Sequence, residues 1–213
     1  MTLDRRGFFA LAGGGLRGAA DQALDVQLLQ TAASIENVLF NAYDFILGLP
    51  AFTAPTANSV IKNLLTTARD QHGQHATAAN ELAQNLGGRA QTGQNAFLSN
   101  VVARARPGLG DMAQAVELAL ELESTSAQTY QFDIGLFADV NARRMAASVM
   151  GVESQHVGML RVIRSLFAAR TPDFVTFDGG NVLRLTPETG TVAFPEPLAK
   201  PDKARPAADG AVL

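Results

Sequence analysis

Four long segments of the chain carry the periodicity of amphipathic helices, about 3.6 residues per turn, and this pattern constrains the fold more than any other feature. The segments run from about 21 to 47, 58 to 86, 111 to 137 and 141 to 169. Gly48 and Pro50 follow the first segment, and Gly87 and Gly88 follow the second, as is typical of helix ends. At about 1.5 Å per residue, each predicted helix is roughly 40 Å long.

The connections favour one bundle topology. Short loops join the first helix to the second and the third to the fourth, whereas the stretch 87–110 is long enough to span a bundle. Two antiparallel hairpins linked by one long crossover form the ferritin-like arrangement. We therefore expect an all-α, ferritin-like four-helix bundle over residues 21–170.

Sequence character changes on both sides of the predicted bundle. After it, residues 174–177 and 182–185 flank a turn at 178–181 and predict a β-hairpin, and 191–194 predict a third short strand. From Pro195 the composition indicates an extended tail, so 171–213 is a separate C-terminal region.

Residues 1–20 form a distinct N-terminal arm. Arg5 and Arg6, then Phe8 and a short Gly/Ala-rich apolar stretch, resemble a twin-arginine export signal. Arg17 ends this stretch early, and residues 18–20 could form a cleavage site. This pattern favours export to the periplasm or cell envelope. The alternative is an uncleaved arm that packs on the bundle of a cytoplasmic protein.

Composition excludes several classes of function. Among 213 residues there is no cysteine, which excludes disulfides, iron–sulfur clusters and thiol nucleophiles. The net charge of −3 argues against nucleic acid as a partner. No apolar run approaches the roughly 20 residues of a membrane span.

The inward stripe of each predicted helix is apolar except for two tyrosines and a few residues near its midpoint. These midpoint residues are Glu36 in the first helix, His72 and His75 in the second, Glu123 in the third, and Glu153 and His156 in the fourth. In an antiparallel bundle the midpoints share one layer, so three carboxylates and all three histidines of the chain would converge in the core.

Such a layer predicts a bound cation. A buried, unpaired carboxylate costs several kcal/mol, and neighbouring carboxylates repel one another. A metal ion relieves both penalties, and a mixed oxygen and nitrogen set suits iron, manganese or zinc. The alternative, that each histidine is an ordinary satisfied core residue, does not explain why all three lie in the same layer.

Two tyrosines, the only ones in the chain, repeat one spacing. Tyr43 follows Glu36 by seven residues, and Tyr130 follows Glu123 by seven. Each phenol is therefore expected on the same helix face as the glutamate before it, two turns further along the helix. It is interpreted as a hydrogen-bond donor to a carboxylate, or as an electron source beside an oxidised metal. An ordinary core aromatic is the alternative.

The pattern of Glu and Glu-x-x-His motifs resembles the ferritin-like superfamily, which includes rubrerythrins, bacterioferritins and manganese catalases. Segments 123–130, 152–156 and 193–198 are most similar to the bacterial ferritin-like domain family related to desiccation-associated proteins. The resemblance implies that Glu36 and Glu123 are the carboxylates of the lone positions, that Glu153 and His156 form the second pair, and that His75 is the histidine of the first.

One position departs from that pattern, because His72 stands where the superfamily has a carboxylate. Asp70 does not replace it, since it lies more than half a turn off the stripe. We expect two divalent transition-metal ions, iron before manganese, at Glu36, His72, His75, Glu123, Glu153 and His156. With three carboxylates instead of four, occupancy by a single ion is the alternative.

The resemblance implies oxidoreductase chemistry on oxygen or hydrogen peroxide, whether peroxidase, catalase-like or ferroxidase. Glu153, Tyr43 and Tyr130 are the candidate catalytic residues. Electrons would come from an external donor, because the chain has no rubredoxin-like module with metal-binding cysteines. A homo-oligomer is also expected. The alternative is a structural or stress-protective, self-assembling bundle in which any metal only stabilises the fold.

Overall fold

The computed structural model describes residues 18–55, 57–168, 191–192 and 200–212. Six α-helices follow one another there: α1 (Ala19–Leu47), α2 (Pro50–Thr53), α3 (Ser59–Asn85), α4 (Ala96–Ala105), α5 (Met112–Asp133) and α6 (Val140–Ala168). The four long ones are the predicted helices, and the described ranges contain no strand, so the all-α bundle is confirmed. No helix in these ranges combines the length and the apolar character needed to cross a bilayer.

Side-chain caps set the starts of three long helices. Asn58 accepts hydrogen bonds from two backbone N–H groups at the start of α3. Asp111 and Gln114 form a capping box at the start of α5, and Asp139 accepts two N–H groups at the start of α6. These caps satisfy N–H groups that have no partner within the helix, and they fix the register of the inward stripes.

The third long helix ends earlier than predicted, at Asp133 and not near Phe137. The N–H groups of Leu136 and Phe137 turn back to the carbonyl of Asp133. The carboxylate of Asp25 in α1 then accepts the N–H groups of residues 138 and 139. A buried carboxylate from another helix therefore stabilises this turn, and such a contact has no local sequence signal.

The long crossover contains a helix that the sequence analysis did not predict. α4 begins after Asn95, whose side chain accepts the N–H of Leu98 at 3.1 Å. Leu98 is fully buried and belongs to the core of the bundle. A short 3-10 turn, Arg106–Gly108, follows. The crossover therefore packs along the bundle as an element of its own.

The long helices pack as two pairs, α1 with α3 and α5 with α6, joined chiefly through α1 and α5. Their buried apolar residues form two clusters, one around Leu39, Leu65 and Leu160 and the other around Leu29, Ala79 and Val149. The polar midpoint residues lie between the two clusters. The core is thus interrupted by one polar layer, where the stripe pattern predicts it.

Residues 200–212 form no helix or strand, but they lie against α1, α5 and the crossover, and we call them the C-terminal strap. Thr31 Oγ1 donates to the carbonyl of Ala207 at 2.6 Å and accepts the N–H of Gly210 at 2.9 Å. A Cβ added at Gly210 would lie 2.2 Å from Ser34 Oγ, so only glycine fits. The strap covers the junction of α1 and α5.

Some expectations concern residues outside this description. The hairpin at 174–185 lies there, as do residues 1–17 of the N-terminal arm and residues 193 and 194 of the third strand. Thr191 and Val192 lie in a turn. α1 begins at Ala19, two residues before the predicted start, so the last two residues of the predicted arm belong to the helix.

Candidate metal centre

All six predicted ligand residues meet in the polar layer. Each long helix contributes from its middle, and four of the six, Glu36, His72, Glu123 and Glu153, have no solvent-exposed surface. Their donor atoms form two overlapping groups in which all atoms lie within 4.8 Å of one another. One group is Glu36, His72, His75 and Glu153, and the other is His72, Glu123, Glu153 and His156.

His72 lies at the centre of the layer. Its Nδ1 is 2.8 Å from Glu36 Oε2 and its Nε2 is 3.0 Å from Glu123 Oε1. A carboxylate can only accept when ionised, so His72 donates from both ring nitrogens in the metal-free protein and carries a positive charge. The protonated ring of His72 therefore places a positive charge in the middle of the acidic layer.

The charges shift the pKa values of the two carboxyls beside His72. Burial raises the pKa of Glu36, but the hydrogen bond from His72 and the charges of His72 and His75 outweigh it and hold the pKa at about 2. Burial also opposes ionisation of Glu123, yet the charge of His72 and a hydrogen bond from His156 hold its pKa well below the usual range. Both carboxyls are ionised at neutral pH.

Glu153 is the unsatisfied member of the layer. Within the described part of the chain, neither of its carboxyl oxygens has a hydrogen-bond partner, and neither has His75 Nδ1, although these atoms are buried. Glu153 Oε1 and His75 Nδ1 lie 3.0 Å apart without an aligned hydrogen bond. Burial, and then the charges of Glu123 and Glu36, raise the pKa of Glu153 well above its usual value. These orphaned donors face one another, as ligands of a shared cation would, so the residues fit a metal site.

The two tyrosines hydrogen-bond across the bundle. Tyr130 on α5 donates to Glu36 Oε1 on α1 at 2.8 Å, and Tyr43 on α1 donates to Glu123 on α5. Since α1 and α5 run antiparallel, each phenol reaches the carboxylate of the opposite helix. Burial, followed by the neighbouring carboxylates, raises the pKa of both phenols well above the usual value. The predicted donors to carboxylates are therefore present.

Gln71 is a contact of the centre that the sequence analysis missed. Its side-chain oxygen lies 2.7 Å from Nε2 of His156, whose Nδ1 faces Glu123 Oε2 at 3.3 Å. When a metal ion binds Nδ1, Gln71 would accept a hydrogen bond from Nε2–H, which fixes the tautomer of the ring. Gln71 precedes His72, and no stripe pattern identifies it. Asp70, by contrast, pairs with Arg69 at the surface, as its position off the stripe predicts.

A groove of about 1080 Å³ opens between α3 and α6 and reaches the centre. The side chain of His75 is 12% exposed and that of His156 is 8% exposed, whereas the carboxylates are sealed. Amide, hydroxyl and apolar side chains line the groove, among them Gln71, Ser148 and Val152, together with the carboxylates of Asp70 and Glu81. Small molecules can therefore approach from the histidine side.

Comparison with known proteins agrees with this geometry. A family model described as a ferritin-like domain matches residues 24–165, which contain α3 and α5, most of α1 and α6, and all six residues of the centre. Neither a search of curated proteins nor a search of solved structures found a significant match. Because the family match covers about two thirds of the chain, the protein belongs to the ferritin-like domain family.

Proposed function

We propose that this protein binds two divalent transition-metal ions, iron before manganese, at the six residues of the centre, and uses them in oxidoreductase chemistry on oxygen or hydrogen peroxide. The observation that carries the proposal is the set of buried, unpartnered donors, Glu153 Oε1 and Oε2 with His75 Nδ1, inside a layer of six ligand-type residues. Bound ions supply redox equivalents and Lewis acidity.

The residues of the chain prepare the site for such chemistry. Glu36 and Glu123 are held ionised and are fixed by Tyr130 and Tyr43. Glu153 holds its proton until a cation replaces it. The two phenols keep their protons at neutral pH and are positioned to donate one toward the carboxylates. Ligand binding thus belongs to the glutamates and histidines, and the two tyrosines orient the carboxylates and supply protons.

The groove between α3 and α6 supports a small oxidant as substrate. Its inner end reaches His75, and no lysine or arginine lines it. A dioxygen or peroxide molecule could enter there, while an external donor supplies electrons. The apolar clusters on both sides of the layer keep bulk water away from the carboxylates.

The decisive experiment combines elemental analysis with turnover. Protein loaded with Fe²⁺ or Mn²⁺ is expected to hold the metal through gel filtration and to consume oxygen or hydrogen peroxide faster than the free ion. Glu153→Gln should lose both properties. Glu117→Gln is the control, because Glu117 is an exposed carboxylate on α5, paired with Arg164 at 3.6 Å.

Two outcomes would overturn the proposal in different ways. If Glu153→Gln binds as much metal as the parent, the centre is not the metal site. If the parent binds metal without turnover and unfolds when the metal is chelated, the ion has a structural role, which is the rival function.

Further features of the proposal come from the sequence. Segments 123–130, 152–156 and 193–198 support a place near the desiccation-associated members of the family, and thus a role in stress response. The arginine pair in the arm supports export. Fractionation of cells for the protein, and its mass in solution, test export and the expected homo-oligomer.

A further inference from the structure

The two groups of donor atoms in the centre share two residues. His72 and Glu153 belong to both groups, whereas Glu36 and His75 belong to the first only, and two others to the second only. Each half of the centre thus has one carboxylate and one histidine of its own. The shared residues, His72 and Glu153, therefore complete the ligand set of each half.

The shared residues divide their atoms between the halves. Glu153 Oε1 lies 3.0 Å from His75 Nδ1, and Glu153 Oε2 lies 4.0 Å from His156 Nδ1. His72 Nδ1 faces Glu36, and His72 Nε2 faces Glu123. Each half therefore receives one oxygen of Glu153 and one nitrogen of His72, which gives it two oxygen and two nitrogen donors.

The ring of His72 is held in this orientation. It has no exposed surface, and its centroid lies 5.2 Å from that of Tyr43, 6.0 Å from that of His75 and 5.5 Å from that of His156. Close packing of this kind opposes rotation of a buried ring. His72 therefore presents one nitrogen to each half at the same time.

Charge balance points the same way. The three carboxylates of the centre supply three negative charges against the four positive charges of two divalent ions. A histidine ring that has lost both ring protons carries one negative charge, which completes the balance. The histidine can then do what a carboxylate does at this position, in charge and in number of donor atoms.

We propose, on the basis of the two-metal function above, that His72 bridges the two ions, with Nδ1 bound to the ion held by Glu36 and His75, and Nε2 bound to the ion held by Glu123 and His156. Two nitrogen–metal bonds form, both ring protons leave to solvent, and no electrons are transferred. His72 thus takes the place of the carboxylate that the superfamily has at this position, and both metal positions are kept.

The test uses the scarcity of histidine. The full chain has three histidines and hence six ring nitrogens, which can be followed by NMR after labelling histidine with ¹⁵N. The metal-free protein is loaded with Zn²⁺, a redox-silent probe, and bound zinc is measured by elemental analysis. Metal-bound nitrogens and N–H nitrogens have distinct chemical shifts.

The parent is expected to bind two zinc ions, with four metal-bound ring nitrogens and two N–H nitrogens. His72→Gln should lose the second zinc and three metal-bound nitrogens, the two of residue 72 and the Nδ1 of the histidine that held the lost ion, and leave the two N–H nitrogens in place. His75→Gln is the matched variant, because it should remove one metal-bound nitrogen and one N–H while the bridge remains.

Each other result has a defined meaning. Two bound zinc ions with one N–H on every histidine would overturn the bridge and leave the metal site intact, as would a single bound zinc with an N–H on His72. Absence of bound zinc would instead contradict the proposed function itself. The parent spectrum alone decides, even if a variant fails to fold.

Discussion

The two sides of the bundle treat their polar groups in opposite ways. Between α1 and α5, which we call the closed seam, the phenols of Tyr43 and Tyr130 satisfy the carboxylates, and the strap covers the junction. Between α3 and α6, the open seam, His75 and Glu153 keep donor atoms without hydrogen-bond partners among the described residues, and a groove reaches His75. The closed seam fixes the carboxylates, and the open seam leaves ligands available.

Asp133, the last residue of α5, departs from this pattern, and replacing it should give the largest effect. Neither carboxyl oxygen of Asp133 has a partner among the described residues, and burial raises its pKa from 3.8 to about 8. The folded protein thus binds a proton that the unfolded chain releases, so stability falls as pH rises from about 4 to 8. Asp133→Asn should raise the free energy of unfolding by up to about 5 kcal/mol at pH 8.

Urea denaturation at several pH values measures this effect. The gain should vanish below pH 3.8, where both states of the parent are protonated. Asp44→Asn, at an exposed carboxylate paired with Arg69, is the control and should show no such trend. A gain that does not depend on pH would mean that Asp133 is ionised in the folded protein.

Glu153→Gln tests the open seam. The amide cannot carry the negative charge that a cation requires, so metal affinity should fall by more than about 100-fold, beyond the range for supporting residues. In the metal-free protein the same change should raise the free energy of unfolding at neutral pH. The carboxyl of Glu153 ionises when the parent unfolds, which favours the unfolded chain, and glutamine cannot ionise. Calorimetry and chelator competition measure the two effects. Equal affinity in both proteins would show that the open seam is not where metal binds.

Gln71→Leu should weaken metal binding by about 10-fold, because His156 loses the acceptor that sets its tautomer. Gln74→Leu is the matched control on the same helix and groove, where the Gln74 amide donates to the backbone carbonyl of Asp70 at 3.3 Å. Competition with a coloured chelator gives both affinities. The role of Gln71 is excluded if the two variants behave alike.

The tyrosines of the closed seam are expected to affect stability and not metal affinity alone. Tyr130→Phe leaves Glu36 without one donor, and Tyr43→Phe does the same for Glu123, at a cost of about 1–3 kcal/mol each. Urea denaturation of the metal-free variants gives these values. Additive losses in the double variant would show that the two contacts act independently, whereas a strong coupling would indicate that they act through His72.

The centre could be predicted because helix periodicity alone places its residues. Glu36, Glu123 and Glu153 interrupt apolar stripes at helix midpoints, and antiparallel packing brings midpoints together. The spacing of the tyrosines predicted donors to carboxylates. It did not predict that Tyr43 reaches across to Glu123, since that depends on which helices are neighbours.

The remaining features depend on contacts without a local pattern. Gln71 lies one residue from His72 but about 100° around the helix, where a glutamine looks like an ordinary surface residue. The strap binds largely through backbone groups, such as the carbonyl of Ala207, which any sequence offers. α4 did carry a local signal, because Asn95 is a good helix cap in front of an apolar run.

The strap also has a consequence for the order of folding. Its contact between Thr31 and Ala207 joins residues 176 positions apart, and that between Gln30 and Val212 joins residues 182 positions apart. Contacts of such sequence separation form late, because the chain between them must first be ordered. The strap should therefore dock only on an assembled bundle and detach first, so that its amides lose protection from hydrogen exchange before those of α1.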